Sequence, residues 1–235
     1  MTNINFEKND ALDFLKKIKS KSVDLVLIDP PYFISKESGF LSCVEGVDRF
    51  KILTEFGDWD KKENFDKEKF SNIISNLYRV LKVHGTIICF YDIWKIESLK
   101  EILEESKFKQ IRFIEWIKSN PVPINSKINY LSNCREVALT AVKKSKPTFN
   151  SSYDNGVYEY PICQDKGRFH PTQKPIALKA ELIKKHSKEG ELVLDCFAGS
   201  ATTAIACLET DRMFTGCEIE ETYYNLAKDR IENYK

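Results

Sequence analysis

The 235-residue chain has little of several things, and each scarcity closes off a class of explanation. Only three histidines are present, and the seven cysteines (Cys43, Cys89, Cys134, Cys163, Cys196, Cys207 and Cys217) are scattered, odd in number and without a CxxC pair. Neither a disulfide framework nor a structural zinc site can be assembled from such a set, so no metal is expected. No apolar run reaches the length of a membrane span, about eighteen residues, and the first residues have neither a basic start nor an apolar core. No membrane association and a cytoplasmic location are the expectations. Net charge is nearly absent at +1, but it is unevenly spread. Residues 107–149 hold nine Lys or Arg against two Glu, an excess that suits a polyanion or a solvated face.

What is present supports one sizeable core: 42% of residues are apolar and 12% aromatic, and the length suits a single domain over residues 1–235. Apolar patterning alternates between strand and helix. Strands are predicted over 23–28, 86–91, 111–117, 135–142, 191–194 and 212–217. Helices are predicted over 66–81, with Gly85 as its stop, and over 96–105, 175–186, 202–208 and 221–234. That rhythm predicts an α/β fold, doubly wound, with a mostly parallel sheet covered on both faces. Two stretches fit no regular element. Residues 33–64 are too long for an ordinary strand-to-helix loop and form a candidate lid. Residues 143–169 are turn-rich and contain Tyr153, Tyr158, Tyr160 and Phe169, which suit either a small subdomain or contacts to a partner.

The sharpest feature is Asp29-Pro30-Pro31-Tyr32, directly after the apolar run Val23 to Ile28. In open α/β sheets ligands bind outside the carboxyl ends of the strands, which is where this tetrapeptide falls. Two prolines remove two backbone donors and leave carbonyl acceptors beside a carboxylate and an aromatic ring. Such a set can hold the hydrogens of an amino group whose lone pair is delocalised into a nucleobase, with the base out of the duplex and stacked on Tyr32. Taken alone, the tetrapeptide is equally a rigid turn. The second feature is Val193-Leu194-Asp195-Cys196-Phe197-Ala198-Gly199-Ser200, a strand entering a turn of small residues before a helix, which admits a ligand close to the backbone. Glu218 follows at the end of the next strand, where an acidic side chain can accept ribose hydroxyls.

Together these motifs resemble the DNA amino-methyltransferases of the β arrangement, in which the catalytic motif precedes the cofactor motif. The resemblance rests on Asp29-Pro30-Pro31-Tyr32, on Trp116-Ile117-Lys118-Ser119-Asn120-Pro121, on His170-Pro171-Thr172-Gln173-Lys174-Pro175 and on Asp195 through Thr203, closing with Glu218. It implies a Rossmann-like sheet of seven strands, one of them antiparallel, with a small target-recognition insertion at 143–169. It implies S-adenosylmethionine as cofactor and adenine N6 as acceptor, since the cytosine-N4 relatives usually carry serine where Asp29 stands. Catalysis would fall to Asp29, Pro30, Pro31 and Tyr32. Cofactor contacts would fall to Asp29, to Asp195, Phe197, Ala198, Gly199 and Ser200 for the methionine half, and to Glu218 for the ribose. Thr172, Gln173 and Lys174 would meet the cofactor carboxylate, and Asp10 and Ala11 its adenine, although Asp10 also reads as a helix N-cap.

Double-stranded DNA is the implied partner, with Lys143, Lys144, Lys146, Lys166 and Arg168 as candidate phosphate contacts. A homodimer and a separate cognate restriction endonuclease are compatible with the resemblance. Cytosine N4 and a catalytically silent DNA-binding subunit on the same fold are the alternatives. Gly199-Ser200-Ala201 departs from the family's Gly-Ser-Gly turn, and Cys196 from its frequent proline. Alanine is tolerable there unless the turn requires a positive φ, so cofactor affinity is the property the departure touches. Pro161-Ile162-Cys163-Gln164 lacks the direct Pro-Cys pair of the cytosine-C5 enzymes, and Cys163 is expected to be an ordinary residue.

Overall fold

The computed structural model describes residues 3–31, 67–122, 131–163 and 173–234. The candidate lid at 33–64 lies outside them, as do Tyr32, Lys166, Arg168 and Thr172. The chain runs β1 (Ile4–Lys8), α1 (Ala11–Lys17), β2 (Val23–Ile28), α2 (Lys67–Val80), β3 (Leu81–Tyr91), a 3-10 turn (Ile93–Lys95) and α3 (Ile96–Glu105). It continues through β4 (Lys109–Lys118), β5 (Arg135–Val142), β6 (Val157–Tyr160), α4 (Ile176–His186), β7 (Leu192–Asp195), α5 (Thr202–Glu209), β8 (Met213–Glu218) and α6 (Glu221–Glu232). Among the described residues no helix is long and apolar enough to cross a membrane.

The sheet has eight strands in the order β1-β8-β7-β2-β3-β5-β4-β6, and only β5 runs antiparallel to its neighbours. The strand beyond the expected seven is accounted for at the edges. β6 comes from the turn-rich stretch assigned to an insertion, and it pairs in parallel with β4, placing Tyr158 opposite Trp116. The Trp116 indole N–H donates to the Tyr160 carbonyl (2.9 Å), tying the added strand down. At the start of β3, Gly85 does not stop the preceding helix. Leu81 already pairs with Val23, and a Cβ on Gly85 would stand 2.9 Å from the Asp24 carbonyl. Close strand approach, not helix termination, is what requires glycine here.

β2 is buried on both sides, which is why its sequence reads as a continuous apolar run. Val26 and Ile28 pack toward α1, α2 and α3, with Phe14, Phe70, Ile73, Leu77 and Leu99. Leu25 and Leu27 pack the other way, toward α4 and α5, with Leu178, Leu182, Ala204 and Phe214. α2 buries Phe70, Ile73, Ile74, Leu77 and Val80, the face its helical spacing predicts. The chain steps from β2 to β3 on one side, whereas β7 leads to β8 on the other. The strand order therefore reverses between β7 and β2, and the crevice opens above their carboxyl ends.

At the far end of α4, His186 is buried with its ring 5.2 Å from that of Phe149, and its Nδ1 has no hydrogen-bond partner among the described residues. Burial lowers its pKa to about 4, a cause that Asp154 only partly opposes. The folded chain thus keeps this imidazole neutral, while the unfolded chain protonates it near pH 6.5. Stability from this group is present above pH 6.5 and is lost as pH falls toward 4. Urea unfolding at pH 7 and pH 5 is expected to differ by ~1–2 kcal/mol on this account, with the slope reduced in His186→Gln.

Candidate active site

Asp29 follows the last residue of β2, so the strand itself carries its carboxylate to the mouth of the crevice. Pro30 behind it is buried and Pro31 partly so. The Asp29 carboxylate is ion-paired with the Lys174 ammonium, whose Nζ also lies 3.2 Å from Glu136. Lys174 is almost fully buried and rests over the Phe90 ring, 4.7 Å from its centroid. Burial disfavours this ammonium, but Asp29 and Glu136 outweigh it and hold the lysine pKa above its ordinary value. Lys174 was expected at a cofactor carboxylate. In the structure its ammonium meets the Asp29 and Glu136 carboxylates.

The turn after β7 is built by Asp195. Its Oδ1 accepts the Phe197 N–H (3.0 Å) and its Oδ2 accepts the Thr203 hydroxyl (2.5 Å), so the buried carboxylate spans the turn and the first residues of α5. Burial raises its pKa, opposed by Lys179, Thr203 and the Phe197 N–H. Gly199 and Ala201 both have positive φ, 51° and 57°. The Gly199 N–H donates to Glu218 Oε2 (2.8 Å) and the Glu220 N–H to Oε1 (2.9 Å), so Glu218 is held at the end of β8 beside the turn. Burial raises its pKa against these bonds. Gly216, paired with Asp195, leaves no room for a side chain: a Cβ would lie 2.4 Å from the Asp195 carbonyl.

Asp10 caps α1, accepting the Leu12 N–H (2.8 Å), and pairs with Lys69 (3.0 Å). It stands next to Asn9, whose N–H donates to the Glu218 carbonyl, so Asp10 and Ala11 do reach the same crevice wall. Gln173 is buried, its amide donating to Cys163 Sγ (3.2 Å). Three residues of the site carry no motif signal. Glu136 lies on β5, Lys179 on α4, and Arg230 of α6 donates to the Ser200 carbonyl (2.8 Å).

Of the lysines expected at DNA phosphates, Lys143 is used inside the fold. Lys143 is buried and its ammonium donates to the carbonyls of Tyr78 (2.6 Å), Arg79 (3.3 Å) and Leu81 (2.8 Å), where α2 ends. A helix C-terminus offers unpaired carbonyls and partial negative charge, and this lysine is spent on both. Because β5 runs antiparallel, it ends beside Thr86, at the opposite end of the sheet from Asp29. Lys144 and Lys146 share that end, roughly 15 Å away at about 3.3 Å per residue.

Lys174 and Lys179 provide a contrast that stability measurements can read. Lys179 is fully buried, 5.2 Å from the Phe90 centroid, and burial lowers its pKa despite Asp195 and Asp29 nearby. Lys174→Met takes from Asp29 its ion pair, while Glu136 keeps Lys118, and is expected to cost ~3–5 kcal/mol, as breaking a buried ion pair does. Lys179→Met also removes a desolvated charge, but it leaves the buried Asp195 carboxylate without the lysine that opposes its rise in pKa, so it is expected to destabilise, by less than Lys174→Met, in the same thermal-unfolding assay.

The site agrees with what the chain is similar to. A family model described as DNA methylase, covering N6 and N4 methyltransferases, matches residues 23–229. Type II methyltransferase M2.DpnII of Streptococcus pneumoniae is 33% identical, covering 95% of this chain and 88% of that protein. Type II methyltransferase M.HinfI of Haemophilus influenzae is 30% identical, over 97% and 68%. Among solved structures, the M1.HpyAVI–SAM complex superposes with a TM-score of 0.71 at 27% identity, over 97% of this chain and 99% of that one. The PvuII cytosine-N4-specific DNA methyltransferase has the same fold, with a TM-score of 0.77 at 16% identity over 100% and 88%. With the sheet order, the strand-end aspartate and the cofactor turn in place, this chain belongs to the DNA methylase family of N6 and N4 methyltransferases.

Proposed function

We propose that this DNA methyltransferase acts on N6 of an adenine turned out of double-stranded DNA. The observation that carries the reading is the Asp29 carboxylate at the strand-order reversal, anchored from behind by a buried lysine. S-adenosylmethionine is the methyl donor. The residues present fit it: Glu218 is fixed by two N–H groups at a strand end and has acceptor capacity left for ribose hydroxyls. Phe197, Ala198, Gly199 and Ser200 would hold the methionine half, and Asp10 and Ala11 would flank the adenine. Bound there, the cofactor supplies an electrophilic methyl group on a sulfonium sulfur.

The chain's own part is acceptance and orientation. Asp29 takes a hydrogen bond from the adenine amino group, and the Pro30 carbonyl takes the other, since neither offers a competing donor at that edge. Held by two acceptors, the nitrogen gives up planarity and its lone pair leaves the ring, aimed at the methyl carbon. Transfer is direct. Cys89 is fully buried and its thiol pKa is pushed well up by burial and by the charge of Asp29, so it supplies no thiolate. Tyr32 is the stacking surface for the base, and Lys166 and Arg168 remain the phosphate contacts of this reading.

A tritiated-methyl transfer assay from S-adenosylmethionine into unmethylated DNA, followed by nucleoside analysis, tests it. N6-methyladenine is the expected product, with Asp29→Ala lower by roughly 100-fold or more. N4-methylcytosine would overturn the adenine assignment and leave the fold and the acceptor geometry standing. Full activity in Asp29→Ala would overturn the role of Asp29.

A further inference from the structure

Glu136 belongs to none of the motifs above, yet it stands at the crevice. It begins β5, and because that strand is antiparallel its first residues lie where the parallel strands end, with Val137 opposite Tyr91. One carboxylate oxygen is 3.2 Å from Lys174 Nζ and the other is 2.8 Å from Lys118 Nζ. Lys174 reaches over the end of β3, against Phe90, to Asp29 on β2. Asp29, Lys174, Glu136 and Lys118 therefore form a row of alternating sign that crosses four strands and sums to zero charge.

A buried ammonium facing Asp29 alone would settle wholly on that carboxylate, and a carboxylate so neutralised is a weaker hydrogen-bond acceptor. A second carboxylate on the far side, 3.2 Å from the ammonium, competes for its charge, although the ammonium stays nearer Asp29. We propose that Glu136 is a positioning residue for methyl transfer. It acts through Lys174 to set where the Asp29 carboxylate stands and how much acceptor strength it keeps, and Lys118 holds Glu136 in that place. The proposal rests on the reading of Asp29 as the amino-group acceptor.

Glu136→Gln keeps the shape and an accepting oxygen and removes only the charge. With DNA and S-adenosylmethionine, its kcat is expected to fall ~10- to 100-fold, a loss of the size that misplacement of reacting groups produces. Cofactor Kd from calorimetry and thermal unfolding should stay near parent values, and Glu136→Asp should recover most of the rate. Lys118→Met should lower kcat in the same direction, and adding it to Glu136→Gln should cost less than the product of the two single effects. If Glu136→Gln failed to fold, Lys118→Met, which leaves Asp29 and Lys174 intact, must still slow turnover. Parent-level kcat in both variants, or a loss of cofactor affinity that matches the loss of rate, would overturn the proposal. Full activity in Asp29→Ala would overturn the reading beneath it instead, whatever Glu136→Gln does.

Discussion

A carboxylate at the end of a buried strand is costly unless something compensates it, and Lys174 is that compensation for Asp29. The lysine comes from just before α4, the aspartate from β2 and the third partner, Glu136, from β5, so their meeting depends on how three distant pieces of chain are ordered in the sheet. β3 lies between β2 and β5 and contributes the Phe90 ring as the floor across which the lysine stem passes. Removing the ammonium would take from Asp29 its ion pair and leave Glu136 to Lys118. The sheet order and the state of the Asp29 carboxylate are thus one constraint seen at two scales.

The same sheet divides the protein into two ends with different work. At the carboxyl ends of the parallel strands stand Asp10, Asp29, Asp195 and Glu218, and the acidic groups are held by N–H donors, hydroxyls or lysines. At the opposite end, charge serves packing: Lys143 closes the carbonyls of α2, and Arg79 donates to the carbonyls of Leu15 (2.7 Å) and Ile18 (2.9 Å) at the end of α1. A strand-length separates the two, so a basic residue's worth to DNA depends on which end its strand delivers it to. β5 alone inverts that rule among its neighbours, carrying Glu136 to the reactive end and Lys143 away from it.

Much of this was legible from residue patterns. The helix at 96–105 and the strand at 135–142 have the boundaries their periodicity predicts, and the apolar run 23–28 is the buried strand β2 that ends at Asp29. β1 and β6 were not legible. They are edge strands of five and four residues with mixed polarity, stabilised by pairing with β8 and β4 and not by an apolar pattern of their own. Part of the basic excess over 107–149 is taken up within the fold for a related reason. Lys118 meets Glu136, Arg135 meets Glu115 (2.7 Å) and Lys143 meets carbonyls, partnerships that are set by strand register and leave no mark on local composition. Lys179 and Glu136 stayed hidden because a charged residue reads as surface until the fold buries it or pairs it.

The departure at Ala201 shows how a local rule can be broken without local cost to function. Its φ of 57° is the left-handed conformation that glycine adopts freely and that costs an alanine about 1–2 kcal/mol. Strain of this kind persists only where the surroundings over-determine the backbone. Here Asp195 ties Phe197 to Thr203, the Ala201 N–H donates to the Ala198 carbonyl (2.7 Å), and Arg230 holds the Ser200 carbonyl from α6. The alanine methyl itself is completely buried against the α5 side of the core, a contact that glycine would forfeit. The turn is therefore fixed by its neighbours whether or not residue 201 has a side chain, so weak cofactor binding does not follow from the missing glycine.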